Sequence, residues 1–399
     1  MDAGKRSDGA GQSAEIPGWV MWLAFCAAVL FVIYGSLYPF GFDAGSFDSH
    51  SIPEFLESWR HFGGRGDILG NILLFLPLGA FGMLAAPHGR AALPHLILVA
   101  FVALLPAIGV QVAQLAIPAR DAVLGDVFWN MGGLILGALP FCSAGLRRAV
   151  RNRSVQAGAV LPIFLIVCWY GAELAPYVPS IDFQSFKDAL KPLLLYPTFY
   201  PSSFVGDYAA WVAVAYLTAR VGPRAIDWLL LIGVMGLMFA AKVVVVKNVV
   251  TLSDAAAAAA ALATWVFLLR RFSRNALVVA VLLAASIPVV DLKPFTVYDA
   301  ASAFQWIPFA MADGSSAVDV VERVAEKVFQ CGALIFLLLS SGLRAGLVFI
   351  LGFGLFVGIE TVQMWVGDSG PSITDPLIAA LASLAVIKMY RAVVPQSSS

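Results

Sequence analysis

The sequence predicts an all-α integral membrane protein of about twelve transmembrane helices, arranged as three parallel four-helix repeats with both termini in the cytoplasm. Three observations support this prediction: a very apolar composition, apolar runs of membrane-spanning length, and polar residues that recur at constant spacing. Of the 399 residues, 60% are hydrophobic and only 13% are charged, and the mean hydropathy is +0.86. Soluble domains carry about 25% charged residues, so this composition excludes an ordinary soluble protein.

Apolar runs of about 20 residues recur along the chain, and each is long enough to cross the ~30 Å hydrocarbon core of a bilayer. Because further runs follow the first one, the first run is predicted to be a retained span rather than a cleaved signal peptide. The twelve predicted spans cover residues 17–36, 66–86, 93–116, 123–143, 158–178, 203–222, 226–246, 253–270, 276–291, 324–341, 345–366 and 373–390.

Basic residues set the predicted orientation, since Lys and Arg are retained on the cytoplasmic side of a membrane. When the spans are threaded alternately, a majority of the 25 basic residues fall on the side that also holds both termini. These residues are Lys5, Arg6, Arg90, Arg147, Arg148, Arg151, Arg153, Arg220, Arg224, Arg270, Arg271, Arg274, Arg344, Lys388 and Arg391. The net charge of zero indicates no nucleic-acid partner. The four cysteines lie in apolar runs without a CxxC pair, so no metal site, disulfide framework or cofactor is expected.

Polar residues repeat at a constant spacing near the ends of every third and fourth predicted span. A polar residue lies twelve residues before an acid three times, as Gln114 and Asp126, Lys242 and Asp254, and Gln363 and Asp375. Three residues before the first member of each pair stand Gln111, Phe239 and Glu360. At the start of each second span an acid is followed four residues later by a second side chain, as Asp67 and Asn71, Asp207 and Trp211, and Glu326 and Gln330. Residues four apart share one helix face.

The segments that follow the first span of each repeat are also alike. Leu37-Tyr38-Pro39-Phe40 is similar to Leu292-Lys293-Pro294-Phe295. The corresponding segment of the middle repeat, Leu174-Ala175-Pro176, is less similar. An even number of spans per repeat gives each repeat the same orientation, so the repeats are predicted to be parallel rather than inverted. The predicted organisation is a cytoplasmic tail at 1–16, repeat 1 at 17–143, a degenerate repeat 2 at 158–270, repeat 3 at 276–391 and a tail at 392–399.

The first repeat carries a set of motifs that resembles a known family. It contains Asp67, Asn71, the run Phe75-Leu76-Pro77-Leu78-Gly79, then Gln111-x-x-Gln114, Arg120, and Asp126-x-x-x-Asn130-x-x-Gly133. This set resembles the VanZ-like family of bacterial membrane proteins, whose pattern has Glu at the position of Gln111. Repeat 3 is similar through Glu360-x-x-Gln363 and Asp375, but it lacks the Phe-x-Pro-x-Gly run, the Arg and the second Asn.

The resemblance implies a multi-pass protein of the bacterial cytoplasmic (inner) membrane, within a cell-envelope family linked to glycopeptide (teicoplanin) resistance. It does not supply a reaction. The partners expected under the ligand-binding hypothesis developed below are a membrane lipid or a lipid-linked saccharide, together with envelope-assembly proteins.

Threaded through this topology, the repeat acids lie at the outer ends of their spans, and Glu360 lies ~9 Å deeper at 1.5 Å per residue. An ionised group at depth costs at least ~2.5 kcal/mol if it faces lipid, so Glu360 is expected to face the bundle or a wet cavity. We therefore predict an outward-facing polar pocket. Its predicted ligand-binding residues are Asp67, Asn71, Gln111, Gln114, Arg120, Asp126, Asn130, Glu326, Gln330, Glu360, Gln363 and Asp375. Its predicted counter-charges are Arg65, Arg120, Lys242, Lys247, Arg323 and Lys327.

Structural roles remain open for several of these residues. Asp254, Ser372 and Asp375 are placed to cap helix N-termini, and amides also bridge helices in lipid. Gly133-x-x-x-Gly137, Gly354-x-x-x-Gly358 and the alanine run after Asp254 are predicted to be helix-packing surfaces.

Three functions stay open at this stage. The first is binding of an amphipathic envelope or polysaccharide-related ligand from the outer leaflet. The second is transport or flipping of a lipid-linked intermediate, although the repeat polar groups gather at the outer level rather than at the midplane expected for alternating access. The third is an intramembrane transferase or hydrolase with Glu360 as base. No HExxH, GxSxG or Walker motif supports that third hypothesis, and no catalytic residues are assigned.

Overall fold

A computed structural model shows an all-α chain over the described residues, which are 18–37, 41–43, 51–60, 65–87, 91–118, 122–151, 157–180, 182–308, 317–367 and 370–393. Its α-helices are α1 (Gly18–Leu37), α2 (Ser51–Glu57), α3 (Arg65–Leu84), α4 (Ala92–Gln114), α5 (Leu124–Ala138), α6 (Ala144–Arg151), α7 (Ala157–Glu173), α8 (Phe183–Leu194), α9 (Pro201–Val221), α10 (Asp227–Val244), α11 (Leu252–Phe267), α12 (Asn275–Asp291), α13 (Ala317–Ser340), α14 (Ala345–Val362) and α15 (Thr374–Val393). The predicted fold class is confirmed at the level of an all-α membrane protein.

Each of the twelve predicted ranges coincides with one described helix, whereas α2, α6 and α8 lie between them. By length and composition, the described part of the chain has six helices that can cross a membrane: α1, α4, α5 with the turn after it, α10, α11 with the turn after it, and α14. Shorter apolar helices lie in α3, α7 and α12. The count of twelve spans therefore remains a prediction.

The chain forms two compact units, and unit 1 comprises residues 1–155 and 178–182, with helices α1 to α6. Within it, α3 and α5 are in extensive contact. A Cβ atom added to Gly133 would lie 2.1 Å from the carbonyl oxygen of Ile72, and one added to Gly137 would lie 1.9 Å from that of Leu76. The two backbones touch because these positions carry no side chain, so the predicted packing role of Gly133-x-x-x-Gly137 is confirmed.

Unit 2 comprises residues 156–177 and 183–399, with helices α7 to α15. Its two central helices are α9, buried throughout 211–218, and α13, buried throughout 329–339. A helix that is apolar on all sides is a buried helix, which explains why these segments carry Val, Ala and Leu in continuous runs. Both central helices pack against the same two neighbours, α7 and α12.

The packing inside unit 2 is reciprocal between predicted repeats 2 and 3. The first helix of repeat 2, α7, packs on the second helix of repeat 3, α13, while α12 packs on α9 in the same way. A Cβ atom added to Gly171 would lie 3.4 Å from the Cβ of Ala325, and one added to Gly206 would lie 2.7 Å from the Cγ2 of Val290. The two contacts use equivalent positions on the second helices and positions one residue apart on the first helices, which resembles an isologous contact between two similar halves.

Two further packing predictions have different outcomes. Ala257, Ala258 and Ala261 from the alanine run are buried in the core of unit 2, as predicted. A Cβ atom added to Gly354 or Gly358 would meet no atom of the described chain within 4 Å, so the prediction of a packing seam there is wrong. Small-residue spacing marks a helix face but does not say whether that face meets protein or lipid.

Candidate functional site

The third helices of repeats 1 and 3 end in the same hydrogen bond. In repeat 1 the backbone N–H of Val123 donates to Oε1 of Gln111 at 2.9 Å. In repeat 3 the backbone N–H of Ser372 donates to Oε2 of Glu360 at 2.6 Å. Both bonds join a buried side chain to the loop twelve residues later, so Gln111 and Glu360 fix the entry to the fourth helix. Glu360 is only 2% exposed, as expected for a carboxyl that avoids lipid.

In repeat 2 the equivalent backbone N–H, that of Thr251, has a different acceptor. Phe239 occupies the position of Gln111 and Glu360, and its side chain carries no hydrogen-bond acceptor. The N–H of Thr251 instead donates to Oδ2 of Asp254 at 2.8 Å, and the N–H of Asp254 donates to the Thr251 hydroxyl at 3.2 Å. This reciprocal pair is a capping box at the start of α11, so the predicted capping role of Asp254 is confirmed.

The second polar position of each third helix contacts the end of the first helix in its repeat. The side-chain Nε2 of Gln114 donates to the Ser36 carbonyl at 2.9 Å. The Nε2 of Gln363 donates to the carbonyl of Asp291 at 3.0 Å, and Lys242 forms an ion pair with Glu173 at 2.6 Å.

Sequence reasoning missed Ser36, Glu173 and Asp291 as members of the site. A signal for them exists, because each directly precedes the Leu-x-Pro segment that marks the end of the first span in its repeat. The turns that follow Glu173 and Asp291 also match. Tyr177 and Phe295 have φ angles of 62° and 63°, and their N–H groups donate to Leu174 and Leu292 at 2.8 Å.

Repeat 3 gathers its charges into one connected network. The guanidinium of Arg323 donates to both oxygens of Asp375, at 3.1 and 3.2 Å, in the two-pronged geometry that suits Arg and carboxylate. The buried ammonium of Lys327 lies 2.7 Å from Oδ2 of Asp291 and 3.5 Å from Oδ2 of Asp375. The predicted counter-charges Arg323 and Lys327 therefore both pair with Asp375. Asp375 thus belongs to a charge network and is more than the cap of a helix N-terminus.

Two further predicted residues extend this network along α13. Lys327 donates to Oε1 of Gln330 at 3.3 Å, and Gln330 donates through Nε2 to Oε1 of Glu326 at 2.8 Å. The Oε1 of Gln363 is buried and accepts no hydrogen bond from the described residues. Glu360 and Gln363 lie at the C-terminal end of α14 and Asp375 lies at the start of α15, whereas Glu326 and Gln330 lie in the middle of α13.

Repeat 2 forms a cleft at the corresponding ends of its own helices. The cleft encloses about 230 Å³, including its open mouth. Its lining is divided between four charged residues and four apolar ones. These are Glu173, Asp207, Lys242 and Asp254, and Trp169, Trp211, Met238 and Phe239. This repeat is the most degenerate by its motifs, so the position of the cleft was not anticipated.

The charged residues of the cleft are arranged around Lys242. Its ammonium lies 2.6 Å from Glu173 and 3.9 Å from Oδ1 of Asp254. Asp207 lines the same cleft. Among the described residues, no group of three or more His, Cys, Asp or Glu is arranged to hold a metal ion.

The residues predicted for repeat 1 are placed only in part. Asn71 is half-buried on α3, and Asp126 lies in the first turn of α5. Asn130 is buried on α5, and its Oδ1 accepts no hydrogen bond from the described residues. The side chains of Asp67 and Arg65, and the whole of Arg120, lie outside the described residues. Lys247, another predicted counter-charge, has a positive φ of 67° in the loop after α10.

The helix α8, between predicted spans, presents charges outside the membrane-spanning segments. Asp188 and Lys191 form an exposed ion pair one turn apart. The hydrogen bond from Lys191 is the largest factor that lowers the pKa of Asp188 below its ordinary value. This exposed pair is useful as a control for charge changes away from the cleft.

The helical fold and the buried charges at helix ends define a membrane protein with polar sites inside its helix bundle. Comparison with protein families then gives a specific match, since the VanZ/LLP1 family model matches residues 21–145. This part of the chain is similar to VanZ-like domains, and the resemblance predicted from the first-repeat motifs is confirmed. No curated protein and no solved structure matches the chain.

Proposed function

We propose that this protein is a multi-pass component of the bacterial cytoplasmic membrane that binds the headgroup of an amphipathic envelope lipid, such as a lipid-linked saccharide, at an outward-facing polar site. Its helices form three parallel four-helix repeats, at 17–143, 158–270 and 276–391, with both termini in the cytoplasm. The VanZ-like domain and the apolar helices support the membrane location.

A single observation carries the ligand class: the lining of the repeat 2 cleft combines four charged residues with four apolar ones, three of which are aromatic. Carboxylates and an ammonium suit the polar headgroup of an amphipathic ligand, while Trp169 and Trp211 are buried apolar residues of the same lining. The cleft lies where first and third helices end and second and fourth helices begin. In the proposed topology these ends face the outer leaflet.

The topology is testable by cysteine accessibility. In a variant without the four native cysteines, Ser302→Cys in the loop before α13 and Ser273→Cys in the loop before α12 are labelled in intact cells with a membrane-impermeant maleimide. Both positions are exposed in the structure. We expect labelling of Ser302→Cys from outside and of Ser273→Cys only after cell lysis. Labelling of both from the same side would overturn the parallel twelve-span arrangement.

The ligand is identified by mass spectrometry of lipids that co-purify with the intact protein. We expect an amphipathic envelope lipid to co-purify with the wild type and to be at least tenfold depleted in Asp207→Asn. Asp188→Asn, which removes a carboxylate on exposed α8, is the matched control and is expected to retain the lipid. Equal lipid content in wild type and Asp207→Asn would refute binding at this cleft.

The alternative functions have distinct readouts in the same preparation. Flux of a lipid-linked intermediate across proteoliposomes that disappears in Asp207→Asn would assign transport. Chemical turnover of the co-purified lipid that disappears in Glu360→Gln would assign an intramembrane transferase or hydrolase. Retention of the ligand with neither flux nor turnover is the result that the binding function predicts.

A further inference from the structure

The second helix of repeat 1, α3, exposes a face whose counterparts in repeats 2 and 3 are buried. Counted from the acid near the start of each second helix, Leu73 on α3 is equivalent to Ala213 on α9 and to Gly332 on α13. Leu73 is 50% exposed, whereas Ala213 and Gly332 are buried. About one turn away in each direction, Leu69 and Leu76 are also exposed. The three leucines form one apolar stripe along α3.

In unit 2 the first helix of one repeat covers this face on the second helix of the other. A Cβ atom added to Gly332 would lie 2.6 Å from Cδ2 of Leu165 on α7, which belongs to repeat 2. The other pairing is built alike, because α12 of repeat 3 packs on α9. Leu283 on α12 and Ala213 on α9 occupy the equivalent positions, and both are buried. Each pairing therefore places a leucine on the first helix and a small residue on the second.

Repeat 1 has the same two positions with the residue sizes exchanged. Counted back from the end of each first helix, Ala28 on α1 is equivalent to Leu165 and Leu283. Ala28 is half-buried, and Leu73 on α3 is the large residue. An alanine on the first helix and a leucine on the second fill about the same space as the reverse arrangement, and swaps that conserve volume keep a core well packed. The two faces of repeat 1 are therefore complementary in size.

The equivalent faces of unit 2 are already occupied within unit 2. Leu165, Leu283 and Ala213 are each at most 2% exposed. Among the described residues, the uncovered face of this kind belongs to repeat 1, so its match is repeat 1 of a second copy. An isologous contact uses the same surface on both partners. Two copies inserted in the same direction are related by a two-fold axis along the membrane normal, as parallel repeats are.

We propose that two copies of this protein associate through unit 1, with the leucine stripe of α3 in each copy packed against Ala28 on α1 of the other. The association has the two-fold arrangement by which repeats 2 and 3 pair inside unit 2. Close packing of helix faces drives association in lipid, where burial of apolar surface alone adds little. The proposal goes beyond the proposed function and requires no ligand.

Cross-linking in membranes tests which surfaces meet. Two differently tagged full-length chains without native cysteines are co-expressed, one with Ala28→Cys and one with Leu73→Cys, and the membranes are oxidised with copper phenanthroline. We expect a disulfide-linked product that carries both tags. The control uses Leu30→Cys in place of Ala28→Cys, because Leu30 and its counterpart Val167 on α7 are both more than 60% exposed. We expect the control to give at least tenfold less product. No product, or equal product in the control, would overturn the proposal.

Exchange of the two residues tests the packing itself. Leu73→Ala removes the large side chain, and Ala28→Leu places a leucine against a leucine. Each single variant is expected to weaken dimerisation at least fivefold, measured by energy transfer between labelled proteins in liposomes as lipid is added. The double variant reproduces the combination of Leu283 and Ala213 in unit 2, and it is expected to dimerise within twofold of the wild type.

The result that would refute this packing is equally clear. A wild type that is monomeric at every dilution, or single variants that dimerise as the wild type does, would exclude the contact and leave the α3 stripe facing lipid. Circular dichroism verifies that the variants are folded. The cross-linking result decides the proposal where a single variant does not fold.

Discussion

Replacing Gly133 by Ala gives the sharpest test of the packing in unit 1. A Cβ at this position would lie 2.1 Å from the Ile72 carbonyl oxygen and 2.8 Å from two other backbone atoms of Ile72, whereas ordinary contact begins at 3.4 Å. Side-chain rotation cannot relieve this overlap, because all three atoms belong to the backbone of α3. The helices must separate, and we expect a destabilisation of about 3 kcal/mol, at the upper end of the range for overpacked cores.

The neighbouring residue provides the control. A Cβ at Gly132 would meet nothing within 4 Å, so Gly132→Ala introduces the same methyl group without a clash. That variant is expected to be stabilised by up to about 1 kcal/mol, the helix-propensity difference between Gly and Ala. Both variants are compared by unfolding in mixed micelles with increasing dodecyl sulfate, followed by circular dichroism. Equal stability of the two variants would refute the close backbone contact between α3 and α5.

Three further outcomes follow from the hydrogen bonds and ion pairs of unit 2. Glu360→Ala is expected to lower the free energy of unfolding by about 1–3 kcal/mol in the same assay, because the buried N–H of Ser372 loses its acceptor. Glu360→Gln retains an acceptor and is expected to lose less stability. Equal losses in the two variants would contradict this prediction. Asp254→Ala removes the capping box and should lower the free energy of unfolding by about 1 kcal/mol. Asp254→Asn should leave the stability nearly unchanged, and thermal unfolding measures both variants. Arg323→Ala should lower the free energy of unfolding by no more than about 1 kcal/mol because the Arg323 side chain is 42% exposed, while Asp375→Ala at a buried position should lower it by more. The reverse order in a melting experiment would contradict this prediction.

The helices were predictable because hydrocarbon thickness imposes their length. Each predicted span coincides with a helix, including α9 and α13, which the structure buries inside unit 2. Short helices such as α8 escaped prediction because their amphipathic sequence, with Lys187, Asp188 and Lys191 among apolar residues, lacks a long apolar run. The reciprocal packing of α7 on α13 and of α12 on α9 depends on which helix faces meet, and apolar runs do not encode this.

The site was predictable in its residue types but only partly in its contacts. The spacing identified Gln111 and Glu360 correctly as equivalent polar positions. It did not reveal that both bind the backbone of the following loop, since a spacing between side chains contains no information on backbone donors. The acids Glu173 and Asp291 were not predicted because they end first helices, outside the twelve-residue spacing that relates the third and fourth helices.

The twelve-residue hydrogen bond constrains the length of this connection in repeats 1 and 3, although the residue that accepts the bond differs between them. In repeats 1 and 3 a side chain on the third helix closes a ring with the backbone at the start of the fourth, and the atoms that bond are an amide oxygen in one case and a carboxylate oxygen in the other. A side chain with an acceptor oxygen and suitable length can form this bond. In repeat 2 the third helix provides no acceptor, and the N–H of Thr251 donates to Asp254 instead. An inserted or deleted residue in this connection would displace the donor from its acceptor in both rings. We therefore expect this connection to tolerate another acceptor at the same position but not a change of its length.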